Sequence, residues 1–502
     1  MEDGMTAHDP VIGLSIRSGS PLHAEWMYTW KQLFRMLGIP FSLITDGRIP
    51  PVVIRYGEPE ISIPEDRFVI RIPETVSGVP FIRNVPKAAL RVIRTEEAES
   101  SPPFCDALYY APPPPSGAVW MQDSGGLGCA VTVSERDARC AIDIPATAFY
   151  FFSLANERRI TERDAYGRFR RTDSPLGSAI YDTPVVDRLV ALLRALIRHG
   201  CRRQGVPPPP FGSWPGGRAF ALALSHDVDR FHSWTWSKIR RAMKSSPGFR
   251  TAKTVLKSLV RPDNRSGNFR FIRRIEKRYG GTSTYFIAGI ARSPRDPDYD
   301  PDDPRIRKNL GLFSGIGLHG SVSGASRPGL TAGEKKRVES VTGRKILGIR
   351  SHYLAYDHEK TFRHNLEAGF LYDSTLGFYR APGWRCGTGL PFRVWDCTTR
   401  AELAFWELPQ ILMGTSLYYE KYCNLTAKAA WPLVFAMLQE TARNRACMTI
   451  NWHNNNLHPG DATGYTALYE KILDWTKRQN GWIASTDEIV QYFIGKDQEP
   501  GH

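Results

Sequence analysis

Short apolar runs alternate with amphipathic segments through the second half of the chain. Eight runs predict strands, at residues 220–224, 284–287, 315–318, 346–349, 370–372, 406–408, 448–452 and 481–484. Between them, a helical spacing of apolar positions predicts helices over 331–340, 360–368 and 465–478. This alternation indicates a parallel α/β architecture, and a length of about 275 residues suits a (β/α) barrel. We therefore expect a barrel over residues 218–496.

The first two hundred residues have a different pattern, in which short β-like runs are separated by proline-rich breaks. Residues 51–56 and 67–72 predict strands, and residues 184–199 predict a helix with one apolar face. A stretch dense in proline and glycine, residues 206–217, cannot continue a helix or a central strand. We therefore predict a smaller mixed α/β accessory domain of unknown function over 1–205, a linker over 206–217, and then the barrel.

Length and composition fit this division. A chain of 502 residues, 42% hydrophobic, is expected to form two or three domains. Its first residues have no basic stretch followed by an apolar one, so we expect no secretory signal and a cytoplasmic location. None of the eight cysteines forms a CxxC pair, which predicts reduced thiols and no zinc finger.

Most of the net charge of +15 is concentrated in one segment. Between Arg230 and Arg278 there are fifteen basic side chains against only Asp263 and Glu276. Apolar residues alternate with them, so the segment predicts either a solvated helical surface or a contact with an anionic membrane surface or an anionic glycan. The second case would place the protein peripherally at the membrane. No nucleic-acid recognition motif accompanies the charge, and we expect no nucleic-acid partner.

Polar residues follow several of the apolar runs, where each predicted strand ends. The carboxyl ends of parallel barrel strands meet on one face, so these residues should converge, although each alone is more often a turn or structural residue. Asp and His suit zinc or a similar divalent ion. Two Asp residues at positions i and i+2 point the same way, so one can bind metal while the other takes a proton from the attacking water. The residues are Asp227, Asp229, His319, His352 and His453.

These motifs, taken in order, resemble those of the polysaccharide deacetylase (NodB-homology, carbohydrate esterase family four) superfamily. The resemblance covers residues 218–494, and it implies a distorted seven-stranded (β/α) barrel. It also implies a metal-dependent hydrolase that removes an acetyl group from a sugar of a cell-surface glycan or its precursor, with zinc as the expected ion. The segments that carry it are 225–229 (Ser-His-Asp-Val-Asp), 318–321 (Leu-His-Gly-Ser), 350–354 (Arg-Ser-His-Tyr-Leu), 372–377, 385–392 and 452–453 (Trp-His).

The resemblance also implies a role for individual residues. Asp227 would be the general base, with Arg350 orienting it. Asp229 and His319 would be metal ligands. His453 would be the general acid that protonates the leaving amine.

One position departs from the family pattern. The second histidine of the family's ligand pair falls at Ser323, and serine is a poor zinc ligand. We hypothesise that His352, at the end of the next predicted strand, supplies the missing nitrogen. Otherwise the site binds metal weakly or not at all, and the chain is a degenerate barrel that binds glycan or works at a membrane surface without turnover. A third alternative keeps the hydrolase but replaces the sugar with a non-sugar amide.

The N-terminal half has a resemblance of its own. Residues 146–154, 164–169 and 184–189 resemble an uncharacterised domain found before bacterial deacetylase domains. This resemblance implies a tandem architecture and does not indicate a function for the first half.

Overall fold

The structure is a computed structural model. It describes residues 11–45, 49–58, 61–74, 90–93, 107–110, 131–140, 142–155, 157–174, 177–230, 268–290, 296–297, 299–459, 461 and 463–497. These residues form two principal sheets, one in each half of the chain, with helices packed against them.

The first sheet is built from the N-terminal half. Its order is β2-β1-β3-β4-β8-β7, and every neighbouring pair is parallel except β7 with β8. The strands are β1 (Ile12–Ile16), β2 (Ser42–Leu43), β3 (Val52–Tyr56), β4 (Phe68–Ile72), β7 (Val131–Val133) and β8 (Asp137–Cys140), and β5 (Leu90–Ile93) pairs separately with β6 (Ala107–Tyr110). The helices are α1 (His23–Leu37), α2 (Ile144–Phe152) and α3 (Val185–Arg203). The strands predicted over 51–56 and 67–72 and the helix over 184–199 are thus confirmed.

The second half supplies ten strands and eight helices among the described residues. The strands are β9 (Ala221–Val228), β10 (Thr284–Ala288), β11 (Gly315–Gly320), β12 (Gly348–Ser351), β13 (Tyr372–Asp373), β14 (Phe392–Asp396), β15 (Ala401–Glu407), β16 (Leu412–Met413), β17 (Cys447–Asn451) and β18 (Trp482–Ser485). The helices are α4 (Phe269–Tyr279), α5 (Pro304–Asn309), α6 (Pro328–Thr342), α7 (Thr361–Glu367), α8 (Gly414–Tyr418), α9 (Ala427–Arg443), α10 (Tyr465–Arg478) and α11 (Thr486–Asp497).

The second sheet is curled and almost entirely parallel. Its order is β14-β15-β13-β12-β11-β10-β9-β17-β16, with β18 also paired to β9, and only β14 runs antiparallel to its neighbour. The first half of β9 pairs with β18 and its second half pairs with β10, so one long strand serves two neighbours along the same edge. The architecture agrees with a deacetylase-like α/β barrel, but the expected count of seven strands is not confirmed.

A short connection, residues 408–411, links β15, next to one end of the curled sheet, to β16 at the other end. The amide of Leu408 donates to the carbonyl of Asp373 on one side, and the amide of Ile411 donates to the carbonyl of Thr449 on the other. Among the described residues, β15 and β16 share no hydrogen-bonded ladder.

The two halves of the chain share a buried contact surface. Arg385 forms a bidentate ion pair with Glu157, with bonds of 2.7 and 2.6 Å, and both side chains are almost fully buried. The hydroxyl of Tyr28 donates to the carbonyl of Arg393 at 2.6 Å. Residues 206–213, within the predicted linker, form neither helix nor strand. The division into an accessory domain, linker and barrel stays a prediction.

Some of the sequence-based predictions fall outside the described residues. Residues 231–267 of the basic segment are among them, so its contact with an anionic surface is not tested. Cys105 and Cys129 also lie outside, whereas Cys201, Cys386, Cys397, Cys423 and Cys447, among the described residues, are free thiols. Within the described part of the chain, no helix has the length and apolar composition needed to cross a bilayer.

Candidate metal centre

The polar residues of the second half lie at the carboxyl ends of neighbouring strands. β9, β10, β11 and β12 are consecutive in the sheet, and β17 lies on the other side of β9. His319 on β11 is in register with Arg350 on β12, and Asn451 on β17 is in register with Ser225 on β9. Strands that are parallel and in register bring their ends to the same edge, so residues more than 200 positions apart meet there.

Asp229 lies at the centre of this group. Its Oδ1 is 3.1 Å from Nε2 of His319 and 3.8 Å from Nε2 of His352, and its Oδ2 is 3.3 Å from Nε2 of His453. One ligand atom each from Asp229, His319 and His352 can be chosen so that all three lie within 4.8 Å of one another. The Asp229 side chain is 25% exposed, whereas those of His319 and His352 are buried. A cation could therefore reach this group from solvent.

The hydrogen bonds of the two histidines bear on which nitrogens are free. Nδ1 of His319 is 2.9 Å from the carbonyl oxygen of Arg350. Because a carbonyl only accepts, Nδ1 carries the proton, and Nε2 is free to bind a cation when the ring is neutral. Among the described residues, Nδ1 of His352 is buried without a hydrogen-bond partner, and it lies 3.9 Å from the carboxylate of Asp296. The His352 ring instead stacks on Tyr353, with 4.1 Å between ring centroids.

The donor set fits a divalent ion such as zinc. One carboxylate and two imidazoles are ligands that zinc prefers, and three protein ligands leave one position open for water or substrate. Burial disfavours the charged form of Asp229, but His453, His319 and His352 outweigh it and hold its pKa well below the ordinary value. For His319 burial favours the neutral ring, but Asp227 and Asp229 outweigh it and raise the pKa. A cation would thus meet an ionised carboxylate and compete with a proton on His319.

Asp227 is held by hydrogen bonds to both of its carboxylate oxygens. Nη1 of Arg350 donates to Oδ1 at 2.9 Å, and Nδ2 of Asn451 donates to Oδ2 at 2.6 Å. Arg350 is fully buried and is itself fixed by Ser225 and Ser374. Burial raises the pKa of Asp227, but Arg350 and the nearby histidines bring it below the ordinary value. Asp227 is therefore an ionised carboxylate in a single fixed orientation.

The side chains of the first motif, residues 225–229, alternate in direction as expected for a strand. Asp227 and Asp229 both face the group, whereas His226 between them points away. The Nδ1 of His226 contacts the carbonyl of Trp452, and its Nε2 contacts the buried carboxylate of Glu276 at 2.7 Å. His226 thus belongs to a structural network behind the strand.

Ser323 is not part of the metal-ligand group found among the described residues. It is exposed and precedes a short 3-10 turn at Gly324–Ser326. The nearby Ser321 is buried instead, and its hydroxyl and amide donate to the carboxylate of Glu334. Among the described residues, the group that could hold a metal ion takes its second imidazole nitrogen from His352.

Three further residues have supporting positions. Asp373 accepts from Asn365 at 2.7 Å, and burial raises its pKa to about 6. Burial also raises the pKa of Glu407 well above the ordinary value, with Asp373 adding to the effect. Arg385 is engaged by Glu157. These side chains fix the structure beneath the centre.

The sequence analysis missed two residues close to the centre. Asn451 lies two positions before His453 at the end of β17, so the i, i+2 rule that selected Asp227 and Asp229 would also have selected it. Asp296, near His352, lies in a connection with no motif, and the sequence offers no comparable signal for it.

Comparison with known proteins gives a family match for the first half of the chain. Residues 20–201 match a family described as a family of unknown function (DUF7033). The match agrees with the resemblance of this half to an uncharacterised domain, and it spans less than half of the chain. A search of curated proteins found no match.

Solved structures similar to this chain include several polysaccharide deacetylases. A protein assigned as a polysaccharide deacetylase from Mycobacterium smegmatis is 19% identical, with a TM-score of 0.40, and the match covers 58% of this chain and 96% of that one. PuuE allantoinase is 15% identical, with a TM-score of 0.39 and coverage of 57% and 93%. A carbohydrate esterase family four pseudoenzyme from Bacillus anthracis is 9% identical, with a TM-score of 0.27 and coverage of 57% and 71%. At these TM-scores the interpretation of the centre rests on its own geometry.

Proposed function

We propose that the chain is a metal-dependent hydrolase that cleaves the carbon–nitrogen amide bond of an N-acylated sugar. The observation that carries the proposal is the meeting of two functional groups at one edge of the sheet. Asp229, His319 and His352 form a three-residue ligand group. Asp227 and His453 lie beside it, and we propose that the first accepts a proton and the second donates one during the reaction.

Asp229, His319 and His352 would hold the divalent ion, which we expect to be zinc. When bound, the ion lowers the pKa of a water and polarises the carbonyl of the amide. The protein contributes the fixed positions of its ligands, which the bond from His319 to the Arg350 carbonyl and the stacking of His352 on Tyr353 support.

Asp227 would act as the general base. Its low pKa keeps it ionised, so it is ready to accept a proton from the attacking water. Arg350 and Asn451 each occupy one lone pair on one carboxylate oxygen, and each oxygen keeps a further lone pair for that proton. Arg350 would be a positioning residue, because it bonds to Asp227 and is itself fully buried.

His453 would act as the general acid. Its Nε2 lies near Oδ2 of Asp229, whereas the Nε2 atoms of His319 and His352 lie near Oδ1. His453 therefore contacts a different oxygen of this carboxylate from the two ligand histidines. Its side chain is 13% exposed, which leaves it open to a substrate. From this position it can pass a proton to the amine nitrogen as the carbon–nitrogen bond breaks.

Hydrolysis of a panel of substrates tests the proposal, measured as acetate release from the N-acetylated sugars and as ring opening of the cyclic amides. The panel contains N-acetylated monosaccharides, N-acetylated oligosaccharides and small cyclic amides, each offered to the zinc-loaded, chelated and reloaded protein. We expect release from an N-acetylated sugar that is lost on chelation and restored by reloading. Turnover of a cyclic amide alone would contradict the sugar assignment and keep the hydrolase.

A second candidate function is supported by the position of Ser323. Without a histidine there, the chain would be a degenerate barrel that binds a glycan but does not cleave it. The retained pairing of Asp227 and His453 argues against it, because a binding protein has no use for a proton acceptor and donor. Glycan binding at the centre without any acetate release, from a protein shown to hold zinc, would favour this candidate.

The basic segment Arg230–Arg278 adds a second proposed partner, an anionic membrane surface or anionic glycan. The segment begins directly after Asp229 and ends within α4 (Phe269–Tyr279), so its first residue is adjacent to the centre. Sedimentation with anionic vesicles tests the membrane contact. We expect binding that is lost when basic residues in this segment are replaced by glutamate. Binding that survives these replacements would contradict the proposal.

A further inference from the structure

The turn that follows His352 has an unusual backbone. Tyr353 and Leu354 have positive φ angles of 58° and 55°, a conformation that side chains other than glycine rarely adopt. Such a turn persists when surrounding contacts hold it in place. It directly follows His352, so its geometry sets where the imidazole lies.

A loop from the N-terminal half is docked on this turn. Nη1 of Arg168 donates to the carbonyl oxygen of Tyr353 at 2.9 Å, and the amide of Tyr356 donates to the carbonyl oxygen of Tyr166 at 3.3 Å. The rings of Tyr166 and Tyr353 stack with 4.6 Å between centroids. The row of stacked rings therefore runs from His352 through Tyr353 to Tyr166.

The docked loop, residues 164–168, is rigid in its own right. The carboxylate of Asp164 accepts from the amides of Tyr166 and Arg168 and from the Arg168 side chain. Gly167 has a φ of 76°, and a Cβ at this position would lie 2.4 Å from the carbonyl oxygen of Tyr356. Only glycine permits both the backbone conformation and this close approach.

Arg168 is also fixed from its other side. Its guanidinium lies 3.6 Å from the centroid of the Tyr379 ring and 4.7 Å from that of Tyr166, and the side chain is only 11% exposed. These contacts leave it one orientation, in which it donates to the Tyr353 carbonyl. It is therefore built into the turn rather than free for a solvent-exposed role.

We infer that the loop 164–168 of the N-terminal half is a positioning element that holds His352 as a metal ligand, with Arg168 as its principal side chain. This inference rests on the proposed metal function and adds to it. It gives the N-terminal half a role in the centre although none of its described side chains belongs to the ligand group. Supports of this kind commonly change metal affinity by about 10- to 100-fold when they are removed.

Cobalt binding to four proteins tests the inference. The variants are Arg168→Met, which removes the bond to Tyr353, and Gly167→Ala, which forces the loop away without changing any charge. The control is Arg170→Met, because Arg170 is in the same region but is 58% exposed and pairs with the neighbouring Asp173. Affinity and the ligand-field absorption of bound Co²⁺ are measured on each, together with hydrogen exchange of the amides at 353–356.

We expect Arg168→Met and Gly167→Ala to weaken Co²⁺ binding by about 10-fold or more, to change its absorption spectrum and to speed exchange at 353–356. Arg170→Met should match the wild type in all three. A purely structural role would lower thermal stability but leave the spectrum of bound Co²⁺ unchanged. Wild-type affinity and spectrum in both variants would overturn the inference and leave the proposed function intact. A wild type that binds no Co²⁺ would overturn the proposed function itself.

Discussion

Nη1 of Arg350 donates a buried hydrogen bond of 2.9 Å to Oδ1 of Asp227 in the second sheet. Arg350 lies on β12 and Asp227 on β9, so the bond spans the two intervening strands, β10 and β11. The guanidinium also lies 4.4 Å from the centroid of the Phe286 ring on β10. This arrangement fixes the carboxylate of Asp227 and keeps it ionised. The carboxylate of the neighbouring Asp229 instead contacts the histidines.

Replacing Asp227 should separate catalysis from metal binding. Asp227→Asn keeps the shape of the side chain but removes the proton acceptor, so kcat should fall by about 10²- to 10⁴-fold. Zinc content should stay at the wild-type level, because Asp227 is not in the ligand group. Asp474→Asn, a change at a partly exposed pair with Arg478, is the control. Loss of zinc together with activity would show that Asp227 is itself a ligand.

Asn451 should affect the pH dependence of the reaction. Asn451→Ala removes the donor to Oδ2 of Asp227, and a hydrogen bond to a charged group contributes about 1.5–3 kcal/mol. The ionised form of Asp227 loses this support, so its pKa should rise. The acid limb of the kcat/KM profile should therefore move to higher pH, with Asn444→Ala, at the residue that follows α9, as the control. An acid limb that does not move would assign the general base elsewhere.

Zinc affinity should depend on pH through His319. In the metal-free chain its pKa is raised, because the effect of Asp227 and Asp229 exceeds that of burial. The protonated ring therefore stabilises the metal-free fold fully below an ordinary pKa of 6.5, and this stabilisation is lost as the pH rises through the raised value. Since zinc must displace that proton, its affinity should rise with pH by up to about tenfold per unit until the raised pKa is passed.

Zinc titrations at a series of pH values measure this dependence. They are compared with His23→Gln, which changes the first residue of α1, whose ring contacts the Arg17 carbonyl in the N-terminal half. The two proteins should show the same slope. An affinity that is independent of pH through the neutral range would contradict the place of His319 among the ligands.

The ion pair between Arg385 and Glu157 should contribute strongly to stability. Arg385→Met leaves the buried Glu157 carboxylate without its cation, and breaking a buried pair in this way costs about 3–5 kcal/mol. Arg363→Met breaks the more exposed pair with Asp396 and should cost much less, because solvent screens that pair. Denaturant unfolding of both variants measures the difference. Equal losses would show that the contact between the two halves is not a stabilising one.

The sequence could predict where the strands of the second half end and which polar residues follow them. The apolar runs of the second half predicted strands close to their positions. The polar residues after several of these runs predicted that Asp227, Asp229, His319, His352 and His453 would lie together. The alternation of element types was sufficient for this. The strand order and the unclosed ladder between β15 and β16 depend on pairings between distant residues, which no local pattern encodes.

The contribution of the N-terminal half could not be predicted for a related reason. Arg168 reaches the Tyr353 carbonyl across a separation of 185 residues. Its neighbourhood in the sequence is a polar loop without a catalytic pattern, and its effect depends on how that loop docks. The helix α9, Ala427–Arg443, was also absent from the prediction, although it packs on the sheet at β17.

The most direct test of the account is the zinc content of the purified wild type and of His352→Ala, with His23→Ala as a matched control. We predict about one zinc ion per chain in the wild type and in the control, and its loss from His352→Ala. Zinc retained in His352→Ala would move the third ligand elsewhere and overturn the role given to the turn at Tyr353. A wild type that holds no zinc after metal removal and reloading would contradict the metal-dependent hydrolase.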